Sequence, residues 1–164
     1  MKIDYLEGKI RITDFNSIEA YKIARKIESE GIEFYGKLLK QNFDEATNEI
    51  MKFLLLEEKA HLKLFEEKLL EAKQNLDDGF EEDSIFDYVD TKVFYPFNAV
   101  ASLNEALTNK EKAIRLGVKI ENNSISFYEA CLLNTKEQQT KKDLRWLIGE
   151  ENKHLLKLQG LLKK

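Results

Sequence analysis

The chain repeats itself. Glu28, Tyr35, Glu58 and His61 recur 93 residues later as Glu121, Tyr128, Glu151 and His154. The same shift maps Lys26-Ile27 onto Lys119-Ile120, Phe34 onto Phe127, Leu54 onto Leu147, Glu57 onto Glu150 and Leu62 onto Leu155, while other positions differ freely, as Phe53 and Trp146 do. An internal repeat constrains architecture more than any local signal, because a unit that cannot bury its apolar face alone must pack against its copy. Each copy holds two runs of apolar residues at helical spacing, which reads as a helical hairpin. Two such hairpins packed together predict an all-α, antiparallel four-helix bundle with approximate twofold symmetry.

Local signals place the boundaries. Asn16 followed by Glu19 reads as a capping box, and Ile18, Tyr21, Ala24, Ile27, Gly31, Phe34, Tyr35 and Leu38 then predict a helix over 17–40. Asn42-Phe43-Asp44 makes the turn and caps a second helix over 45–74. The first dozen residues alternate loosely and suggest a short extended arm. The segment 75–108 breaks the pattern: it opens with the acidic run DDGFEED and carries Phe80, Phe86, Tyr88, Phe94, Tyr95 and Phe97. It reads as a long crossover that covers the bundle and lets the second and third helices run parallel. Thr108 with Glu111 offers a capping box for a helix over 109–133, and Thr135 with Gln138 for a fourth over 136–163. A single domain over 1–164 results, with the first hairpin at 17–74 and the second at 109–163.

On the fourth helix Leu144, Leu147, Glu151, His154 and Leu158 step by three and four, so all five share one face. The second helix repeats this with Leu54, Glu58, His61 and Phe65. Ala24, Glu28, Gly31 and Tyr35 share a face of the first helix, and Gly117, Glu121, Ser124 and Tyr128 a face of the third. Four carboxylates and two imidazoles are therefore predicted to point inward at one depth. Buried like charges repel and lose hydration, so the arrangement requires partners. Two divalent cations neutralise four carboxylates, with both histidines neutral. Oxygen-rich ligation with one histidine per ion suits iron or manganese. Glu57 and Glu150 are rival ligands four residues before the histidines. They fall beside the apolar stripe and read as solvated or helix-pairing charges.

The motifs KIESEGIEFY and KIENNSISFY, with LEEKAH and GEENKH, resemble the rubrerythrin branch of the ferritin-like di-iron proteins over roughly 17–73 and 110–163. The resemblance implies a ferritin-like bundle holding two iron ions, with manganese as the alternative. It implies that Glu58 and Glu151 bridge the metals, that Glu28 and Glu121 are terminal or partly bridging ligands, and that His61 and His154 bind one metal each. Tyr35 and Tyr128 would hydrogen-bond ligand carboxylates. Ser124 stands where many rubrerythrins carry an additional glutamate.

The expected activity is reduction of hydrogen peroxide or O₂ at the carboxylate-bridged pair. The alternatives are a ferroxidase or iron-binding or storage protein, and a helical module with structural metals. Cys131 is the single cysteine, so these residues hold no Cys-x-x-Cys rubredoxin module, and electrons are expected from an external donor such as rubredoxin. A homodimer is the expected assembly. Net charge is −4 with both signs interspersed, which offers no nucleic-acid surface. The longest apolar runs, such as Phe53-Leu54-Leu55-Leu56, are far too short to span a bilayer. The N-terminal MKIDYLEGKIRITDF lacks the apolar core of a signal peptide, so a cytoplasmic protein is expected.

Overall fold

A computed structural model describes residues 2–6, 9–13, 16–74 and 100–163. Two short strands, β1 (Lys2–Leu6) and β2 (Lys9–Thr13), precede five helices: α1 (Ser17–Leu39), α2 (Glu45–Gln74), α3 (Val100–Thr108), α4 (Lys110–Asn134) and α5 (Gln138–Leu162). The strands pair antiparallel, with Ile3 opposite Ile12 and Tyr5 opposite Ile10, and β2 lies against α4. The long helices form the bundle. α1 packs along α2 and α4 along α5, while α2 meets α5 and α1 meets α4.

Helix starts follow from side-chain chemistry. The Asn16 side chain accepts the Glu19 N–H at 3.0 Å, and the Glu19 carboxylate accepts the Asn16 N–H at 2.9 Å, completing the capping box. Together they satisfy two of the donors that a helix N-terminus leaves open. Between α1 and α2, Asn42 takes a left-handed conformation, φ 54°, which asparagine tolerates better than most residues. Asp44 then caps α2 by accepting the Thr47 N–H at 2.8 Å. So short a link forces the two helices to lie antiparallel.

Two boundaries differ from the sequence reading. Residues 100–108, placed in the crossover, form α3, and α4 is capped by Asn109, whose side chain accepts the Lys112 N–H at 3.0 Å. Thr108 instead donates its hydroxyl back to the carbonyls of Asn104 and Glu105, the habit of a threonine inside a helix. Thr135 terminates α4, its N–H on the Cys131 carbonyl, and Glu137 begins α5 without a side-chain cap. The aromatic run Phe80 to Phe97 lies outside the described residues.

The core runs the length of the bundle. Phe34, Tyr35, Leu38, Leu54, Phe65, Phe127, Tyr128, Cys131, Leu147 and Leu158 are fully buried. Removing each large apolar side chain from water contributes about 1.5–3 kcal/mol. Polar ties cross between the hairpins near the surface: Lys110 meets Asp44 at 2.7 Å, and the Tyr21 hydroxyl donates to Asp143 at 2.7 Å. Among the described residues no helix is long and apolar enough to cross a membrane.

Candidate metal centre

The same core carries four carboxylates and two imidazoles. Glu28, Glu58, His61, Glu121, Glu151 and His154 are each at most 4% exposed. On α5, the inward stripe consists of Leu144, Leu147, Glu151, His154 and Leu158, so the polar pair is flanked by leucines along its own helix. α2 presents Leu54, Glu58, His61 and Phe65 in the same way. The repeat thus delivers one Glu-x-x-His turn from each hairpin to a common depth.

Potential ligand atoms fall into two overlapping sets. Glu28, Glu58, His61 and Glu151 offer ligand atoms within 4.8 Å of one another, as do Glu58, Glu121, Glu151 and His154. Glu58 and Glu151 belong to both. The His61 and His154 rings stack, with centroids 5.4 Å apart and planes 15° from parallel. His61 Nδ1 lies 3.2 Å from Glu28 Oε2. His154 Nδ1 lies 3.2 Å from Glu151 Oε2 and 3.4 Å from Glu58 Oε1. Yet neither ring nitrogen of His154 has a hydrogen-bond partner among the described residues.

Those contacts have an electrostatic cost. Burial, followed by the charge of Glu151, pushes the Glu58 and Glu121 carboxyls well above the usual carboxylate range, and Glu28 upward as well. Burial pushes Glu151 the same way, but His154, Glu121 and His61 beside it outweigh that and hold it below its ordinary value. For His61, burial disfavours the charged ring, and the adjacent Glu28 carboxylate more than compensates. An orphaned buried imidazole costs about 1–3 kcal/mol, and so close a group of carboxylates requires protons or cations. The donor set is oxygen-rich with one nitrogen for each half, which fits a pair of divalent ions with a taste for carboxylate and imidazole.

Two tyrosines support the carboxylates from the opposite hairpin. The Tyr128 hydroxyl donates to Glu28 Oε1 at 2.9 Å, and the Tyr35 hydroxyl donates to Glu121. Burial and these carboxylates raise both phenols well above their ordinary pKa, so both remain donors. Tyr35 shares a helix face with Glu28 but serves Glu121. Seven residues of helix span about 10 Å, too far for a direct bond along one helix.

The structure brings together all six ligand candidates and both tyrosines. It adds Gly31, where a Cβ would come within 3.1 Å of Glu58 Cδ. The absent side chain lets Glu58 approach α1. Its repeat counterpart is Ser124, buried at 2% exposure. Of the rival glutamates, Glu150 is held by Lys153 at 2.7 Å. Glu57 lies nearer the histidines than its place beside the stripe suggested, with ligand atoms of Glu57, His61 and His154 within 4.8 Å of one another.

Residues 3–69 match the family model of rubrerythrin. The matched segment contains Glu28, Tyr35, Glu58 and His61, half of the repeated set. No curated protein and no solved structure matches the chain.

Proposed function

We infer from this rubrerythrin-like chain a di-iron oxidoreductase that reduces hydrogen peroxide or O₂, built as a ferritin-like bundle of two repeated hairpins. The observation that carries the reading is the pair of overlapping ligand sets sharing Glu58 and Glu151. Glu58 and Glu151 would bridge the two ions, Glu28 and His61 would complete one position, and Glu121 and His154 the other. A reduced metal pair bound there would supply the two electrons that, with two protons, convert hydrogen peroxide to two waters. Iron is the proposed metal, and manganese suits the same donors.

The protein's own part is positioning and exclusion. Tyr128 and Tyr35 hold Glu28 and Glu121 by one oxygen each, leaving the other oxygen of each carboxylate for a cation. The leucines and phenylalanines above and below the polar layer exclude bulk water, which strengthens every charge interaction within it. Burial and the neighbouring carboxylates favour the protonated forms of Glu58 and Glu121 in the ion-free centre, so protons and cations compete for these oxygens. Electrons would come from a separate cytoplasmic donor such as rubredoxin, and the proposed assembly is a homodimer.

Mixing the anaerobic, ferrous-loaded protein with peroxide and an external electron donor tests the reading. Oxidation by peroxide followed by turnover supports it. A ferrous protein that peroxide leaves unoxidised rules it out. Ser124 in place of a further carboxylate also favours a second reading, a ferroxidase that reacts with O₂ and passes its iron on. Faster oxidation by O₂ than by peroxide, with release of the oxidised iron, would select that alternative.

A further inference from the structure

The two copies differ at the position just before each histidine. Glu57 and Glu150 occupy equivalent positions, but Lys153 on α5 corresponds to Ala60 on α2. Lys153 holds both oxygens of Glu150, at 2.7 and 2.9 Å. With alanine in the corresponding place, Glu57 lacks that clamp and forms no ion pair with a lysine or arginine among the described residues.

We propose that Glu57, His61 and His154 form an outer cation position through which divalent metal ions pass to the buried carboxylates. The proposal rests on the reading that those carboxylates hold two ions. One carboxylate oxygen and one nitrogen from each ring lie within 4.8 Å of one another, a spacing that a single cation can span. Glu57 is half-buried, whereas His61 and His154 are 3% and 1% exposed, so the three residues lead from the surface inward. The buried nitrogens of His154 have no hydrogen-bond partner among the described residues. Trp146 packs edge-on against His61 with centroids 5.3 Å apart, and Phe53 against His154 at 6.5 Å, restricting rotation of both rings. One carboxylate and two imidazoles suit Fe²⁺, Co²⁺ or Zn²⁺.

The outer and inner sets share their histidines, so this is a position of passage and not a third resident ion. Glu57 supplies the first charge an incoming cation meets, and the histidines then hand the ion to Glu28, Glu58, Glu121 and Glu151. The device is one-sided, because Lys153 neutralises the equivalent glutamate on α5.

Rapid mixing of the metal-free full chain with Co²⁺, followed by its visible absorption, reads the loading rate and the final stoichiometry separately. Glu57→Gln is expected to load at least about tenfold more slowly than wild type, the lower end of the range for a focused local charge. It should still reach two ions per chain, while Glu150→Gln loads at the wild-type rate. Wild-type loading by Glu57→Gln, with two ions bound, overturns this proposal and leaves the two-metal reading intact. Equal slowing in Glu150→Gln overturns it too, since general surface charge would then suffice. A Glu57→Gln plateau below two ions makes Glu57 a resident ligand and overturns passage. A wild-type chain that takes up no Co²⁺ overturns both readings.

Discussion

Tyr128 on α4 donates its hydroxyl proton to Glu28 on α1 at 2.9 Å, across 100 residues of sequence. Tyr35 on α1 returns the arrangement by donating to Glu121 on α4. Each hairpin therefore orients a carboxylate belonging to the other. Tyr128→Phe keeps the ring and removes the donor. It should weaken metal affinity about 10–100-fold, the usual effect of losing a partner that orients a ligand, with helical circular dichroism unchanged. Competition against a chelator of known strength measures it. Wild-type affinity would mean that the phenol only packs.

Gly31 provides a steric test of the same layer. In Gly31→Ala the new methyl meets Glu58 Cδ at 3.1 Å and both carboxylate oxygens at 3.3 Å, so the carboxylate must move. Metal affinity should fall. Gly149→Ala, at an exposed position of α5, meets nothing within 4 Å and should stabilise the fold by up to about 1 kcal/mol through helix propensity. Chelator competition and chemical denaturation, run on both variants, separate the two effects.

Stability should depend on the leucines that frame the polar layer. Leu147 is fully buried one turn before Glu151, so Leu147→Ala should cost about 2–5 kcal/mol in metal-free protein. Leu133 is 83% exposed, and Leu133→Ala should change stability by no more than about 0.5 kcal/mol. Urea unfolding followed by circular dichroism gives both values.

Asp44 predicts a pH effect remote from the centre. The Lys110 ammonium and then the Thr47 N–H hold its carboxyl down at about 2, against 3.8 for an ordinary aspartate. Because the folded value lies below the unfolded one, the contribution is present above about pH 4 and is lost as pH falls toward 2. Asp44→Asn should therefore lower Tm near neutral pH, and its difference from wild type should narrow between pH 4 and pH 2. A constant difference across that range would contradict this role.

The repeat and the 3–4 spacing made the inward faces legible, because a glutamate between two leucines of one stripe can only be buried. Legibility failed where geometry depends on the partner helix. Same-face spacing shows that Tyr35 points inward but not which carboxylate it meets; the bundle gives it Glu121. Glu57 lies off its own helix's stripe, the place of a solvated or helix-pairing charge; its approach to His154 depends on α5. The α4 start moved because Asn109 and Thr108 are both plausible caps, and only the chain path shows which side chain faces the free N–H. Helix α3 was hidden for a related reason: its sequence, VASLNEALT, is helix-forming but short and adjoins an aromatic run.

Ferrous iron content after anaerobic loading and removal of excess metal tests the central claim most directly. Wild type should retain two ions per chain, and His61→Ala, with Glu58 intact, should retain markedly fewer. Two ions per chain in His61→Ala, or none in wild type, would contradict the assignment of these six residues.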